Sequence, residues 1–379
     1  MIAPDSFLEA LRSQGISFFV GVPDSLLKHF CAYVTDHTQP GEHIIAANEG
    51  SAVGLATGHY LATGSPGLVY MQNSGFGNAL NPMLSLADPA VYSVPMLLLI
   101  GWRGEPGHDD EPQHLKQGRV MEPLLGALEF DYVVLERETP DPVALVTEAA
   151  QEALKHGTPY AILVRRGTFA AYEPRSRAHS DFPLTREAAV KLVAESLRGR
   201  HAVVSTTGKT SRELFEYREA SGQGHTQDFL TVGGMGHASQ IALGLALRCS
   251  DLQVYCLDGD GAVIMHMGAL AVNAAEAPQN YKHIVLNNGA HDSVGGQPTV
   301  GFRIDLPGIA SACGYRVAIR ARTSDEVRDG LARLASSPGP ALLEIQVKKG
   351  ARADLGRPTT SPTENRDALM RYVGTEARA

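Results

Sequence analysis

Residues Leu257–Gln297 read L-D-G-D-G-A-V-I-M-H-M-G-A-L-A-V-N-A-A-E-A-P-Q-N-Y-K-H-I-V-L-N-N-G-A-H-D-S-V-G-G-Q. The run Gln253–Leu257 predicts a strand, the glycines around Asp260 a sharp turn, the segment up to Pro278 a helix, and His283–Leu286 a second strand. Such a crossover makes its two strands parallel and brings their carboxyl ends to one edge of the sheet. Asp260 and Asn288 then lie just past two strand ends on that edge, where open α/β sheets bind ligands. A carboxylate, an amide oxygen and a nearby backbone carbonyl suit a hard cation such as Mg2+. Gly259 and Gly261 permit close backbone approach, and a helix opening at Ala262 aims free N–H groups at an anion. The unit is built for a metal-bound diphosphate.

The same alternation extends in both directions. Strands are expected at Ser17–Val22, His43–Ala46, Leu68–Met71, Met96–Ile100, Tyr132–Leu135 and Tyr160–Val164. Helix-like segments lie between them at Leu26–Asp36, Gly50–Leu61, Asn78–Ala87 and Pro142–Lys155. After a polar, proline-bearing stretch the pattern repeats, with strands at Ala202–Ser205, Phe229–Val232, Gln253–Leu257, His283–Leu286, Tyr315–Ile319 and Leu342–Val347. The fold class is therefore α/β, with parallel sheets covered on both faces. The last strands of the two halves rhyme, T-P-Y-A-I-L-V-R-R-G against G-P-A-L-L-E-I-Q-V-K-K-G, which hints at two similarly wound domains. A length of 379 residues, at roughly 100–200 per domain, predicts the same number. The expected boundaries are 1–171, a linker at 172–184, a second domain at 185–350, and a polar tail at 351–379 that either stays loose or closes over a site.

Composition is that of a soluble globular protein, 44% apolar and 20% charged. A net charge of −8, from 33 basic and 41 acidic residues, argues against a general nucleic-acid binder. An anionic substrate would need a local basic cluster. Cys31, Cys249, Cys256 and Cys313 show neither C-x-x-C nor framework spacing, and the start M-I-A-P-D-S-F has no basic or apolar leader pattern. Both point to a reducing cytoplasm. The most apolar run, Val94–Trp102, is too short to span a bilayer and reads as a buried strand.

Several other residues could carry chemistry. Glu49 opens a helix of small residues, where an acid also favours the helix dipole. Asp24, in G-V-P-D-S, is either a helix cap or an active-site acid. Gln72–Asn78, Q-N-S-G-F-G-N, is a glycine turn into a helix. The stretch 102–118 reads as a loop long enough to be functional, with Arg103, His108, His114 and Lys116 set against Asp109, Asp110 and Glu111. The alternative is a solvated loop whose charges cancel. Gly233-Gly234-Met235-Gly236 follows a strand, but G-M-G-H-A-S ends in Ser239 where a dinucleotide fingerprint needs glycine, and no acidic strand end follows. Gly208-Lys209-Thr210 resembles the end of a Walker loop, yet Val203 replaces its earlier glycine. Lys209 and Arg212 still stand at a helix start where an anionic group could dock.

G-D-G at 259–261 followed by N-N at 287–288 resembles the signature of thiamine-diphosphate enzymes. V-P-D-S-L-L-K, Y-M-Q-N-S-G-F-G-N-A-L-N-P, I-G-W-R-G-E-P-G, D-E-P-Q-H-L-K-Q-G, T-G-K-T-S-R-E-L, N-N-G-A-H-D-S-V-G-G-Q-P-T and L-G-R-P-T-T-S-P resemble, within that class, the phosphonopyruvate decarboxylase family over nearly the whole chain. The resemblance implies a pyrimidine-binding domain, then a diphosphate-binding domain of the same winding, with no middle domain between them. It assigns Asp260, Asn288 and the Ala290 carbonyl to Mg2+, and Gly234, Gly259, Gly261 and Ala262 to cofactor binding. Met235 becomes the apolar wedge between the two rings of thiamine diphosphate. Glu49 becomes the carboxylate that bonds the aminopyrimidine and activates the cofactor. Asp24 and His114 become candidates for proton handling. Arg103, Lys116, Lys209, Arg212 and Arg357 become candidates for the substrate's dianionic head, which needs charge-assisted partners. The implied reaction takes 3-phosphonopyruvate to phosphonoacetaldehyde and CO2 in phosphonate biosynthesis. Sulfopyruvate decarboxylase, a carboligase of acetohydroxyacid-synthase type and an inactive homologue are the competing functions. The implied partners are a small anionic 2-oxoacid and a second copy of the chain, with active sites at the interface of a homodimer or higher homo-oligomer; neither nucleic acid nor membrane is expected.

Overall fold

A computed structural model describes residues 1–175 and 180–374. The chain divides into two compact units, Met1–Arg177 and Ala178–Ala379. In the segment expected as a linker, 176–179 lie outside the described residues, as do 375–379 of the tail.

The first unit runs α1 (Pro4–Ser13), β1 (Phe19–Gly21), α2 (Lys28–His37), β2 (His43–Ile45), α3 (Glu49–Thr63), β3 (Gly67–Gln72), α4 (Phe76–Pro82), β4 (Met96–Gly101), α5 (Pro112–Ala127), β5 (Tyr132–Leu135), α6 (Pro142–His156) and β6 (Pro159–Val164). Its six strands are parallel in the order β2-β1-β3-β4-β6-β5. Side chains alternate across the central strands. Leu97 and Leu99 pack into one core with Phe7, Phe30 and Ile162, whereas Met96, Leu98 and Ile100 pack into the other with Val53, Phe76 and Leu125. Both faces are dry, so β4 is apolar at consecutive positions, M-L-L-L-I.

The second unit runs α7 (Arg186–Ser196), β7 (His201–Ser205), α8 (Lys209–Ser221), β8 (Asp228–Leu230), α9 (Ala238–Arg248), β9 (Gln253–Gly259), α10 (Asp260–Met265), α11 (Ala269–Glu276), β10 (Tyr281–Asn287), α12 (Leu306–Cys313), β11 (Val317–Ala321), α13 (Ser324–Ser336), β12 (Ala341–Gln346) and α14 (Pro362–Val373). Its sheet is parallel in the order β11-β12-β10-β9-β7-β8. Read from the other edge this is β8-β7-β9-β10-β12-β11, the first sheet's order again. The rhyming strands β6 and β12 occupy equivalent places. The two sheets follow one another along the chain, with no third sheet among the described residues. No helix among those residues is long and apolar enough to cross a membrane.

Four local expectations need correction. The stretch 102–118 is not all loop: α5 begins at Pro112 and carries His114 and Lys116. Proline fits a first helical turn because its missing N–H has no acceptor there. The helix expected up to Pro278 is two helices, α10 and α11, separated by a turn at 266–268. The helix expected over Asn78–Ala87 starts at Phe76 and widens into a π-helical turn at Met83–Ala87, just after Pro82. The tail is not wholly loose either. Its α14 opens with a Ser361/Glu364 capping box, Leu369 packs into the core, and the Asn365 amide bridges Leu230 N–H and Asp228 O of β8 at 2.9 and 2.8 Å.

Candidate active site

Parallel strands deliver their carboxyl ends to one edge, and in both units that edge carries the polar residues. In the first unit Asp24 follows β1, Glu49 follows β2, Gln72 ends β3 and Arg103 follows β4. β1 and β3 are neighbours while β2 lies on the far side of β1, so the direction of winding reverses there. That switch point is where such sheets open a crevice.

Glu49 is the first residue of α3, behind an Asn48 cap whose Oδ1 accepts Ser51 N–H at 2.8 Å. The residue is 5% exposed. Oε2 accepts Asn78 Nδ2 at 2.9 Å. Oε1 faces Gly75, where a Cβ would overlap it. The turn Gln72–Asn78 is thus shaped around this carboxylate, with a glycine to admit it and an amide to hold it. Burial raises the Glu49 pKa and the Asn78 hydrogen bond opposes the rise.

Asp24 is fully buried. It does not cap α2, which has no side-chain cap; Oδ1 instead accepts Leu26 N–H at 2.9 Å. A Cβ at Gly101, the last residue of β4, would overlap that same oxygen. Burial pushes the Asp24 pKa up to about 6, against the pull of Leu26 N–H and Arg103.

His114 is also buried. Its Nδ1 lies 3.0 Å from Asp110 Oδ1 and its Nε2 lies 3.3 Å from the Gln72 amide nitrogen. A carboxylate accepts and an amide nitrogen donates, which assigns the proton to Nδ1 and leaves Nε2 as acceptor. Burial lowers the His114 pKa, with the Asp110 hydrogen bond acting the other way. Arg103 gives Nε to Asp110 at 2.7 Å, pairs through Nη2 with the same carboxylate, and gives Nη1 to Ser25 at 2.8 Å. Its fork holds the loop together. The charges of that loop do neutralise one another, but Asp110 does so from inside the fold, with a side chain only 4% exposed. Lys116 is exposed on α5.

In the second unit Lys209 follows β7, Met235 follows β8, Asp260 follows β9 and Asn288 follows β10. Asp260 is 2% exposed. It accepts the Thr299 hydroxyl and lies 3.4 Å from Asn288 N. Burial pushes its pKa up to about 6, and the groups opposing the shift are that hydroxyl and backbone amides, none of them a cation. Asn288 gives Nδ2 to Asp292 at 2.7 Å, while its Oδ1 accepts Ala290 N–H at 3.1 Å. Asp260 is a buried carboxylate without a cation among its main partners, and together with the Asn288 amide oxygen and the Ala290 carbonyl it would supply oxygen ligands only, the chemistry a hard divalent ion requires. Gly261 is flanked by Met235 and by the His291 ring, both placed within reach of a Cβ there. Burial pushes His291 down to about 4, so that ring is neutral.

Gly208 adjoins Ser293 of the H-D-S turn. Lys209 is half-buried; burial lowers its pKa, Asp292 raises it and Arg186 lowers it again. Arg212 is half-buried on the first turn of α8, and Arg357 is exposed in the tail. Sequence reasoning did not single out Asn78, Gly75, Gly101 or Thr299 as partners of the three buried acids. Asp110 and Asp292 were visible only as members of longer motifs.

Residues 1–121 match the family model described as thiamine pyrophosphate enzyme, N-terminal TPP binding domain, and 206–345 match the corresponding C-terminal TPP binding domain. Phosphonopyruvate decarboxylase of Streptomyces hygroscopicus is 38% identical over 96% of this chain and 92% of its own. That of Streptomyces viridochromogenes is 35% identical over 99% and 96%. Sulfopyruvate decarboxylase of Methanosarcina acetivorans is 26% identical over 91% of both. The chain belongs to the thiamine pyrophosphate enzymes and, among them, to the phosphonopyruvate decarboxylase family.

Proposed function

We propose that this chain decarboxylates 3-phosphonopyruvate to phosphonoacetaldehyde with thiamine diphosphate and Mg2+, as a step in phosphonate biosynthesis. The observation that carries the reading is identity of 35–38% with two phosphonopyruvate decarboxylases through nearly the full length, against 26% with a sulfopyruvate decarboxylase. Thiamine diphosphate, when bound, supplies the electron sink for the pair left by departing CO2. The chain's own residues do the rest. Asp260, Asn288 and the Ala290 carbonyl would hold Mg2+, with Gly259 and Gly261 letting the backbone close on the diphosphate. Met235 would set the cofactor's bend. Glu49, held at Oε2 by Asn78, would offer its other oxygen to the pyrimidine when the cofactor is bound. Asp24 and His114 would hold or supply protons during the reaction.

Of the five cations considered for the head group, Lys209 is the best supported. It sits at the winding switch between β7 and β9, and burial lowers its pKa, so a docked anion would offset that shift. Arg103 is already engaged with Asp110 and Ser25.

Glu49 and Asp260 belong to different units, and the reading assigns them to one cofactor across a contact between two copies. Support comes from α3, whose outward face bears Gly54, Leu55, Gly58 and Leu61, all exposed, the last to 76%. The active species is then at least a homodimer. Sedimentation at assay concentration should show no active monomer; finding one removes the shared site. Four free cysteines fit a reducing cytoplasm.

The test of function is a rate comparison on phosphonopyruvate, sulfopyruvate and pyruvate with thiamine diphosphate and Mg2+ present. Free phosphonoacetaldehyde, formed fastest, is the expected product. Preference for sulfopyruvate would transfer the chain to the other decarboxylase, and a condensed product would make it a carboligase.

A further inference from the structure

Asp292 is a further buried carboxylate, beside the metal-site residues, to which no role has yet been given. It lies in the turn after β10, four residues beyond Asn288, with a side chain only 7% exposed. One oxygen, Oδ2, accepts three donors: Asn288 Nδ2 at 2.7 Å, Gly350 N–H at 2.8 Å and Arg186 Nη1 at 3.0 Å. Arg186 is itself fixed from behind, because its Nε and Nη2 both reach Glu213 at 2.8 Å. The Arg186 and Glu213 side chains are 6% and 2% exposed. This is a bidentate ion pair in a dry region, with Asp292 hung from its remaining nitrogen.

We infer that Asp292, braced by Arg186, is the positioning residue that decides which end of the Asn288 amide is offered to the cation; the inference rests on the metal-site reading above. An amide has two ends of nearly equal size, and only the oxygen can ligate a cation. Shape alone does not prevent a half-turn that would present its NH2 group instead; Ala290 N–H favours the observed orientation from the oxygen end at 3.1 Å, and Asp292 makes the shorter, charge-assisted contact at the nitrogen end at 2.7 Å. A carboxylate only accepts hydrogen bonds, so Asp292 can face the NH2 end and not the oxygen. Oδ1 is thereby kept on the side of the turn where the Ala290 backbone lies. The three donors all fall on Oδ2, so the oxygen that faces the Asn288 amide is fully engaged in holding it. Outer partners of this kind set ligand geometry in metal sites generally. Gly350 N–H, on the same oxygen, ties in the point where the chain has left β12 for the tail.

The probe is Mn2+ as a paramagnetic substitute for Mg2+, titrated by EPR into the full-length protein in the presence of thiamine diphosphate. Asp292→Asn keeps the size of the side chain and loses its acceptor-only character. Its apparent Kd for Mn2+ should rise by about 10–100-fold. Asp292→Ala removes the acceptor and one negative charge, but leaves Arg186 paired with Glu213, so no buried guanidinium is stranded. It should fold and show a rise at least as large. In both variants the Mg2+ level for half-maximal activity should rise in parallel, and excess Mg2+ should relieve the deficit, which a general packing defect would not allow. Folded variants that bind Mn2+ within twofold of the parent overturn the inference, as does a deficit that Mg2+ cannot relieve. Failure of both variants to fold also counts against it, since Asp292 would then be a structural strut. If the unsubstituted protein takes up no Mn2+ with thiamine diphosphate, the metal-site reading itself falls.

Discussion

Glu49→Gln is expected to lower turnover by roughly two to four orders of magnitude and to leave the fold intact. Glutamine has the same shape, and its amide oxygen can still accept Asn78 Nδ2, so the buried end of α3 keeps its contact. What is lost is a group that can gain and release a proton. Burial raises the Glu49 pKa, so the ionised acid is disfavoured in the folded protein. Its contribution to stability is present below the unfolded value of 4.5 and is lost as pH rises through the folded one. The glutamine variant escapes that loss, and its stability relative to the parent should improve above pH 4.5. Initial rates at saturating cofactor and denaturant unfolding at two pH values measure the two effects. Unchanged turnover would remove Glu49 from the mechanism.

Asp24→Asn should separate activity from stability more sharply. The Asp24 pKa is pushed from 3.8 up to about 6, by burial above all. Stability contributed by the protonated acid is complete below pH 3.8 and disappears as pH passes 6. A difference of two pKa units corresponds to about 3 kcal/mol. At pH 8 the variant should be more stable than the parent by about that amount, with the advantage vanishing near pH 4. Its turnover should fall by about 10²–10⁴-fold, because asparagine transfers no proton, and any limb of the pH–rate profile with a midpoint near 6 should vanish with it. A variant with normal turnover and the parent's pH–stability curve would make Asp24 a plain structural residue.

The sheets are legible in the sequence because strands buried on both faces have no polar alternation to hide them; Met96–Ile100 is such a run. The G-D-G and N-N turns are legible because their chemistry is local. The start of α5 is not, since Gly118 and Pro123 look like helix breakers. In the fold Gly118 is needed, because the helix crosses the Gly104 carbonyl there too closely for a Cβ, and the Trp102 indole donates to the Gly118 carbonyl at 2.9 Å. Charge partners are hidden for a different reason. Asp109, Asp110 and Glu111 are equals along the chain, and only the return of α5 turns Asp110 toward both Arg103 and His114. The same holds for Asp292, whose partners Arg186 and Gly350 lie far away in sequence on either side.

Gly75 and Gly101 stand against Glu49 and Asp24 with no room for one further carbon. Mutational scans that trim each side chain to a methyl group skip glycine or treat it as inert, and here they would pass over two positions that shape the surroundings of two buried acids. Loss-of-function variants found at 75 or 101 in a natural population should then be classed with changes to the acids themselves, although no ionisable group has been altered.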